Sequence, residues 1–186
     1  MPLNPVLDGR GGRVAGMSMC HKAYVLDYVG FSAELRPLLE QSLASNDVSA
    51  LMAFVDAERA RLTLPWEAAP LPPNWREDLE HGDVQEVGDL ALTKYYDADD
   101  DCGVQEHWRD VDERLAPGIR GALLGEPLGT NGAIFDPGKM GSYFQSPEAV
   151  RQSARLLKGS PLPELMPFCE LLSRAETGGR GLYVTF

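Results

Sequence analysis

Apolar positions along the chain change period several times, and each change marks an expected element. Over 21–31, Tyr24, Leu26 and Tyr28 alternate with Ala23, Val25 and Asp27, and aromatic and β-branched residues are dense, which predicts a strand. Leu35 to Leu43 has helical spacing, and because Pro37 lacks a backbone N–H the regular helix is expected to start there. Asp47 is placed to cap a second helix over 48–62, where Val48, Leu51, Met52, Val55 and Leu62 recur at spacings of three, four and seven. Four prolines within 65–73 exclude helix and central strand. The stretch reads as a surface loop anchored by Trp66 and Trp75, since neither side is long enough for a separate core.

Further helices are expected over 83–96 and 104–115, with a turn over 97–103 between them. Gly121, Gly125, Gly129 and Gly132 then divide the chain into short pieces, with room for a strand over 133–135. Ser146-Pro147-Glu148 combines a capping serine, proline at the first helical position and an acid in the first turn, so a helix runs from 147 to about 158 and stops at Gly159. Another helix over 163–175 and a strand over 182–186 complete the pattern. Strands at both ends with helices between them predict an α+β fold. The two strands should share one sheet, with the 48–62 and 147–158 helices packed on it.

At 186 residues, 44% hydrophobic and 24% charged, the chain has the size and balance of one globular domain. Residues 1–18 are glycine- and proline-rich without the apolar core of a signal peptide, so they are expected to be a disordered lead to a domain over 19–186, with Met17 or Met19 an alternative start. The longest purely apolar run is six residues, 50–55, where a membrane span needs about 20. A cytoplasmic protein is expected. The three cysteines lack C-x-x-C spacing and predict neither a disulfide framework nor a thiolate zinc site, and no cofactor is expected.

The net charge of −11 is confined to one segment. Residues 77–113 hold fourteen acids against Lys94 and Arg109, while 1–76 and 114–186 are nearly balanced. Nucleic acid and anionic membranes are therefore poor partners, and a basic protein is the partner that such a segment would attract.

Within it, Asp97, Asp99, Asp100 and Asp101 invite a calcium loop. The sixth position counted from Asp97 is Cys102 and the twelfth is Trp108, where an EF-hand needs glycine and glutamate. His107 stands beside Glu106 and Trp108 with Asp110 further on, but helical spacing puts Glu106 and Asp110 on one face and His107 on another. The glycines of 125–132 match neither the P-loop nor the dinucleotide fingerprint, so turns are the plain reading.

The segments Leu123-Leu124-Gly125-Glu126-Pro127-Leu128-Gly129, Gly141-Ser142-Tyr143-Phe144 and Ser146-Pro147-Glu148-Ala149-Val150, in that order, resemble the second half of the YfbM-like family of uncharacterised bacterial proteins. The resemblance extends in outline over 20–186, through the N-terminal strand, two following helices and a terminal strand. It departs at 77–113, where the acidic segment replaces the family's usual helical stretch. The shared motifs are caps and turns, so the resemblance implies a fold and brings no activity or site residues.

Two functional expectations follow. The first is a non-enzymatic binding protein that presents Asp97, Asp99, Asp100, Asp101, Glu106 and Asp110 to a basic protein or peptide. The alternative is a small-molecule sensor or enzyme with a pocket near the glycine-rich turns, involving His107 and Tyr143. A cleft lined by an Asp or His with a strongly shifted pKa would favour the alternative, and a flat acidic face the first.

Overall fold

The period-two alternation near the N-terminus forms strand β1 (Lys22–Leu26), and the terminal apolar segment forms β5 (Gly181–Thr185). They pair antiparallel with Tyr24 opposite Tyr183, and β4 (Ser142–Gln145) pairs with the other edge of β5, giving the order β1-β5-β4. The computed structural model describes residues 19–186 except Trp66, Pro117 and Asn131. The expected disordered lead and the Trp66 anchor lie outside the described residues.

Because side chains alternate along a strand, the sheet has two buried faces. Tyr24, Leu26, Phe144 and Tyr183 join one apolar cluster, and Ala23, Leu182 and Val184 join another. Tyr24, Tyr183 and Phe144 stack in a row across the strands, with ring centroids 6.1 and 5.3 Å apart. On their side lie α1 (Tyr28–Gly30), α2 (Arg36–Ser45), α3 (Ser49–Glu58) and α4 (Val84–Leu92). The second face carries α5 (Trp108–Arg114), α6 (Arg120–Leu124), α7 (Pro147–Leu157) and α8 (Met166–Thr177). A small hairpin of β2 (Gly129–Thr130) and β3 (Ala133–Ile134) stands apart from the sheet. This is the α+β arrangement that the pattern predicts. No helix among the described residues is long and apolar enough to cross a membrane.

Several boundaries differ from expectation. The first strand stops at Leu26, because Tyr28, Phe31 and Leu35 recur at helical spacing and Asp27 N–H is taken by Tyr95 C=O at 2.8 Å. A wide π turn over Phe31–Leu35 precedes Pro37, accommodating the helical bond that its imide nitrogen cannot make. The helix expected over 48–62 ends at Glu58 in a 3-10 turn, and it packs chiefly on α2 and α4, one layer out from the sheet. The helix expected over 83–96 stops at Leu92, where the Thr93 hydroxyl donates to Leu90 C=O at 2.7 Å and accepts Thr63 N–H at 3.1 Å. The helix expected over 104–115 begins only at Trp108, since His21 and Gln105 exchange backbone bonds of 3.1 and 3.0 Å beside β1. Strand β4 was not expected from the pattern. The serine cap is as expected: Ser146 Oγ accepts Ala149 N–H at 3.2 Å.

Candidate functional site

Helix α4 carries the sequence Val84-Gln85-Glu86-Val87-Gly88-Asp89-Leu90-Ala91-Leu92. Its buried stripe packs on α3 and α2, and Gly88 permits the approach: a Cβ there would come within 2.7 Å of Leu39 and 2.8 Å of the Phe135 ring. Gln85, Glu86, Asp89 and Leu90, spaced one, four and five apart, lie on one side of the helix and form a wall of a cleft of about 370 Å³.

The proline-rich segment supplies the opposite wall. It doubles back, with Leu64 N–H bonded to Ala69 C=O at 2.8 Å and Leu71 N–H to Leu62 C=O at 3.0 Å. Its buried Trp75 donates from the indole to Asp56 Oδ1 of α3 at 3.3 Å, and Arg76 pairs with the same carboxylate. The Thr63–Thr93 bond ties its start to the end of α4. The remaining side is placed by Gln85, which donates to Ile134 C=O at 2.8 Å and accepts Asp136 N–H at 2.7 Å, bringing Pro137 and Lys139 to the cleft. Leu64, Leu71, Leu79 and Leu90, with Pro65, Pro72, Pro137 and Trp75, make the lining mainly apolar.

Three carboxylates of α4 and its cap meet this cleft under different conditions. Asp83 is the N-cap and accepts Glu86 N–H at 2.9 Å. Glu86 accepts the N–H groups of Glu80, Gly82 and His81 at 2.8, 2.8 and 3.0 Å; burial opposes its ionisation, but these donors hold it below the usual carboxylate range. Asp89 is only 7% exposed and, among the described residues, takes part in no hydrogen bond or ion pair. Burial alone pushes its carboxyl from 3.8 up to about 7. The same buried acid contributes, after burial, to pushing the phenols of Tyr24, Tyr96 and Tyr183 upward.

A second cleft, of about 610 Å³, lies between α7 and α8. Its polar lining residues are Lys158, Ser160, Ser173 and Glu176, together with Cys169, and all of them are exposed or half-buried. None is a buried charged group.

The residues expected to form a site are dispersed. Asp97 and Asp99 are exposed, with Asp97 Oδ1 accepting Asp99 N–H at 3.0 Å. Asp100 is held by Arg174 of α8 at 3.0 Å. Asp101 accepts Ala23 N–H at 3.0 Å, Gly103 N–H at 2.9 Å and the Gln105 amide at 2.9 Å, so it staples the segment to β1. Glu106, His107 and Asp110 are exposed around the start of α5. Tyr143 packs in the cluster on the opposite face of the sheet from the α4 cleft. Near the glycine-rich turns lie two small clefts of about 190 and 250 Å³. The glycine turns, His107 and Tyr143 do not line the cleft beside α4.

Asp89 was not singled out by spacing or motif. Its sequence signal is a lone carboxylate in the otherwise apolar run Val87 to Leu92. Comparison with protein-family models, with curated proteins and with solved structures finds no match to this chain. The site therefore stands on its own geometry.

Proposed function

We propose that this chain is a binding protein for a small organic ligand, which enters the cleft between α4 and the 62–81 segment. One observation carries the reading: an aspartate that is 7% exposed, without a hydrogen-bond or ion-pair partner among the described residues, forms part of the wall of an apolar cleft. Buried charges are normally paired, because isolating one in apolar surroundings costs several kcal/mol. A ligand that supplies the missing partner recovers that cost on binding. The cleft volume falls at the lower end of the range of roughly 300–1,000 Å³ common for small-molecule sites. Binding is favoured over catalysis because Asp89 is hydrogen-bonded to no second acid, base or nucleophile among the described residues.

The acidic face as a dock for a basic protein has weaker support. Asp100 and Asp101 are already engaged within the chain, which leaves Asp97 and Asp99 as the exposed members of that cluster. All three cysteines are free, in keeping with a reducing compartment such as the cytoplasm.

Ligand-observed NMR with a fragment library tests the reading. Fragments should bind the wild-type chain and lose binding in Leu79→Trp, whose larger side chain fills the cleft. A library with no binders, or binders indifferent to the substitution, overturns it.

A further inference from the structure

We infer that the ligand is an organic amine carried on an apolar body, with its ammonium group seated against Asp89; this rests on the cleft being the binding site. The lining dictates the two halves separately. Leu64, Leu71, Leu79 and Leu90 with the neighbouring prolines offer dispersion and no hydrogen bonds, so the body of the ligand must be apolar. Asp89 offers only an acceptor when ionised, and its complement is a donor that carries positive charge.

The other two carboxylates of α4 and its cap are already engaged within the chain. Asp83 is occupied by the Glu86 N–H and Glu86 by three backbone N–H groups. Around the mouth, exposed Asp78, Glu80 and Asp83 add negative potential that draws a cation inward. Lys139 and His81 also line the mouth, but both are exposed, where water screens them. A metal ion is the other cation to consider. It needs several ligating side chains, and among the described residues no group of three or more His, Cys, Asp or Glu is placed to hold one. A single buried carboxylate in an apolar wall suits an ammonium group.

Matched triplets on one skeleton separate the contributions: phenethylamine, phenethyl alcohol and hydrocinnamate, then cyclohexylmethylamine with its alcohol and acid counterparts. Affinities are measured by NMR titration of the full chain. Each amine should bind at least about tenfold more tightly than its alcohol, as a charge-assisted bond requires, and the ratio should fall to about one in Asp89→Asn. In the wild-type chain the Asp89 carboxyl carbon-13 resonance should move to its ionised position as the amine saturates, a readout that does not depend on the variant folding. If alcohols or acids bind as tightly as amines, and all lose binding in Leu79→Trp, the cleft is a site but the amine inference is wrong. The inference also fails if the amine preference survives Asp89→Asn, or if the carbon-13 resonance stays at its neutral position. If no member of either triplet binds, or if Leu79→Trp leaves binding unchanged, the cleft reading itself falls.

Discussion

His21 and Asp89 are buried titratable side chains on opposite faces of one sheet, and their surroundings could hardly differ more. The His21 imidazole is fully buried, stacks on Trp108 with centroids 5.0 Å apart, and meets Phe168 and Phe186 edge-on. Its Nδ1 accepts Val104 N–H at 3.2 Å, which leaves Nε2–H to donate to Leu123 C=O at 3.0 Å. Burial pushes its pKa down, so the ring is held neutral with both nitrogens satisfied. Asp89 is almost as buried, has no hydrogen-bond partner among the described residues, and meets a cleft in place of a packed wall. Burial by itself therefore does not separate groups engaged within the fold from groups left open to a ligand. Satisfaction does: a saturated polar group holds the fold together, whereas an unsaturated one beside empty space is available to a ligand.

The largest test of this contrast is His21→Ala. It removes the stacked ring and leaves Val104 N–H and Leu123 C=O buried without partners. The cost should be about 3–5 kcal/mol in urea unfolding at neutral pH. A loss below about 1 kcal/mol would mean that water replaces the ring, and that the satisfied side of the contrast is not structural.

Asp89→Asn should act in the opposite direction, and only at higher pH. The folded-state pKa of Asp89 lies near 7, above its ordinary 3.8, so the folded chain binds more protons than the unfolded chain between those values. Stability from this group therefore falls as pH rises through that window, is unaffected below about 4, and carries its full cost above 7. Each pKa unit corresponds to about 1.4 kcal/mol, and asparagine keeps a buried polar group, so the variant should be about 1–3 kcal/mol more stable than wild type near pH 8 and equal to it near pH 4. The phenols of Tyr24, Tyr96 and Tyr183 are pushed upward and stay neutral throughout, so they do not distort the comparison. His21 works in the other sense: its lowered pKa takes away stability as pH falls below its ordinary 6.5. Unfolding of both variants at several pH values separates the two. An Asp89→Asn chain no more stable than wild type near pH 8 would show that the acid finds a partner in solution.

The same contrast accounts for what could be read along the sequence. The β1 and β5 segments and the Ser146 cap were legible because local alternation and a capping triplet determine them. Helix ends at Leu92 and Trp108 were not, because Thr93 and Gln105 take long-range partners in Thr63 and His21 that outweigh local propensity. The structural role of His21 depends on Val104 and Leu123, which lie 83 and 102 residues away. Asp89 is one of fourteen acids in a charged segment, and net charge hides its place in an apolar run. Charge density peaks over Asp97, Asp99, Asp100 and Asp101, whereas the acid that meets the α4 cleft is the one whose neighbours in sequence are uncharged.

Within that acidic segment Asp101 offers a smaller version of the contrast. Asp101 is the satisfied counterpart of Asp89: its carboxylate accepts Ala23 N–H, Gly103 N–H and the Gln105 amide, and so fixes the 101–105 segment along the edge of β1. Gly103 shows how close that approach is, since a Cβ there would sit 1.9 Å from His21 C=O. Removing the staple in Asp101→Ala leaves donors to be rehydrated at a half-buried edge, so the cost should be about 1–2 kcal/mol, less than for His21 and opposite in sign to Asp89→Asn. Asp99→Ala, at an exposed position, should stay within about 0.5 kcal/mol of wild type. Hydrogen exchange reads the same difference locally: in Asp101→Ala the amides of Ala23 and Gly103 should exchange faster, while those of Leu182 and Val184 in the central strand keep their protection. If Asp101→Ala and Asp99→Ala have equal effects, the cluster is uniformly solvated. Satisfaction would then separate acids only in the interior, and Asp97 to Asp101 would all be free to meet a basic partner.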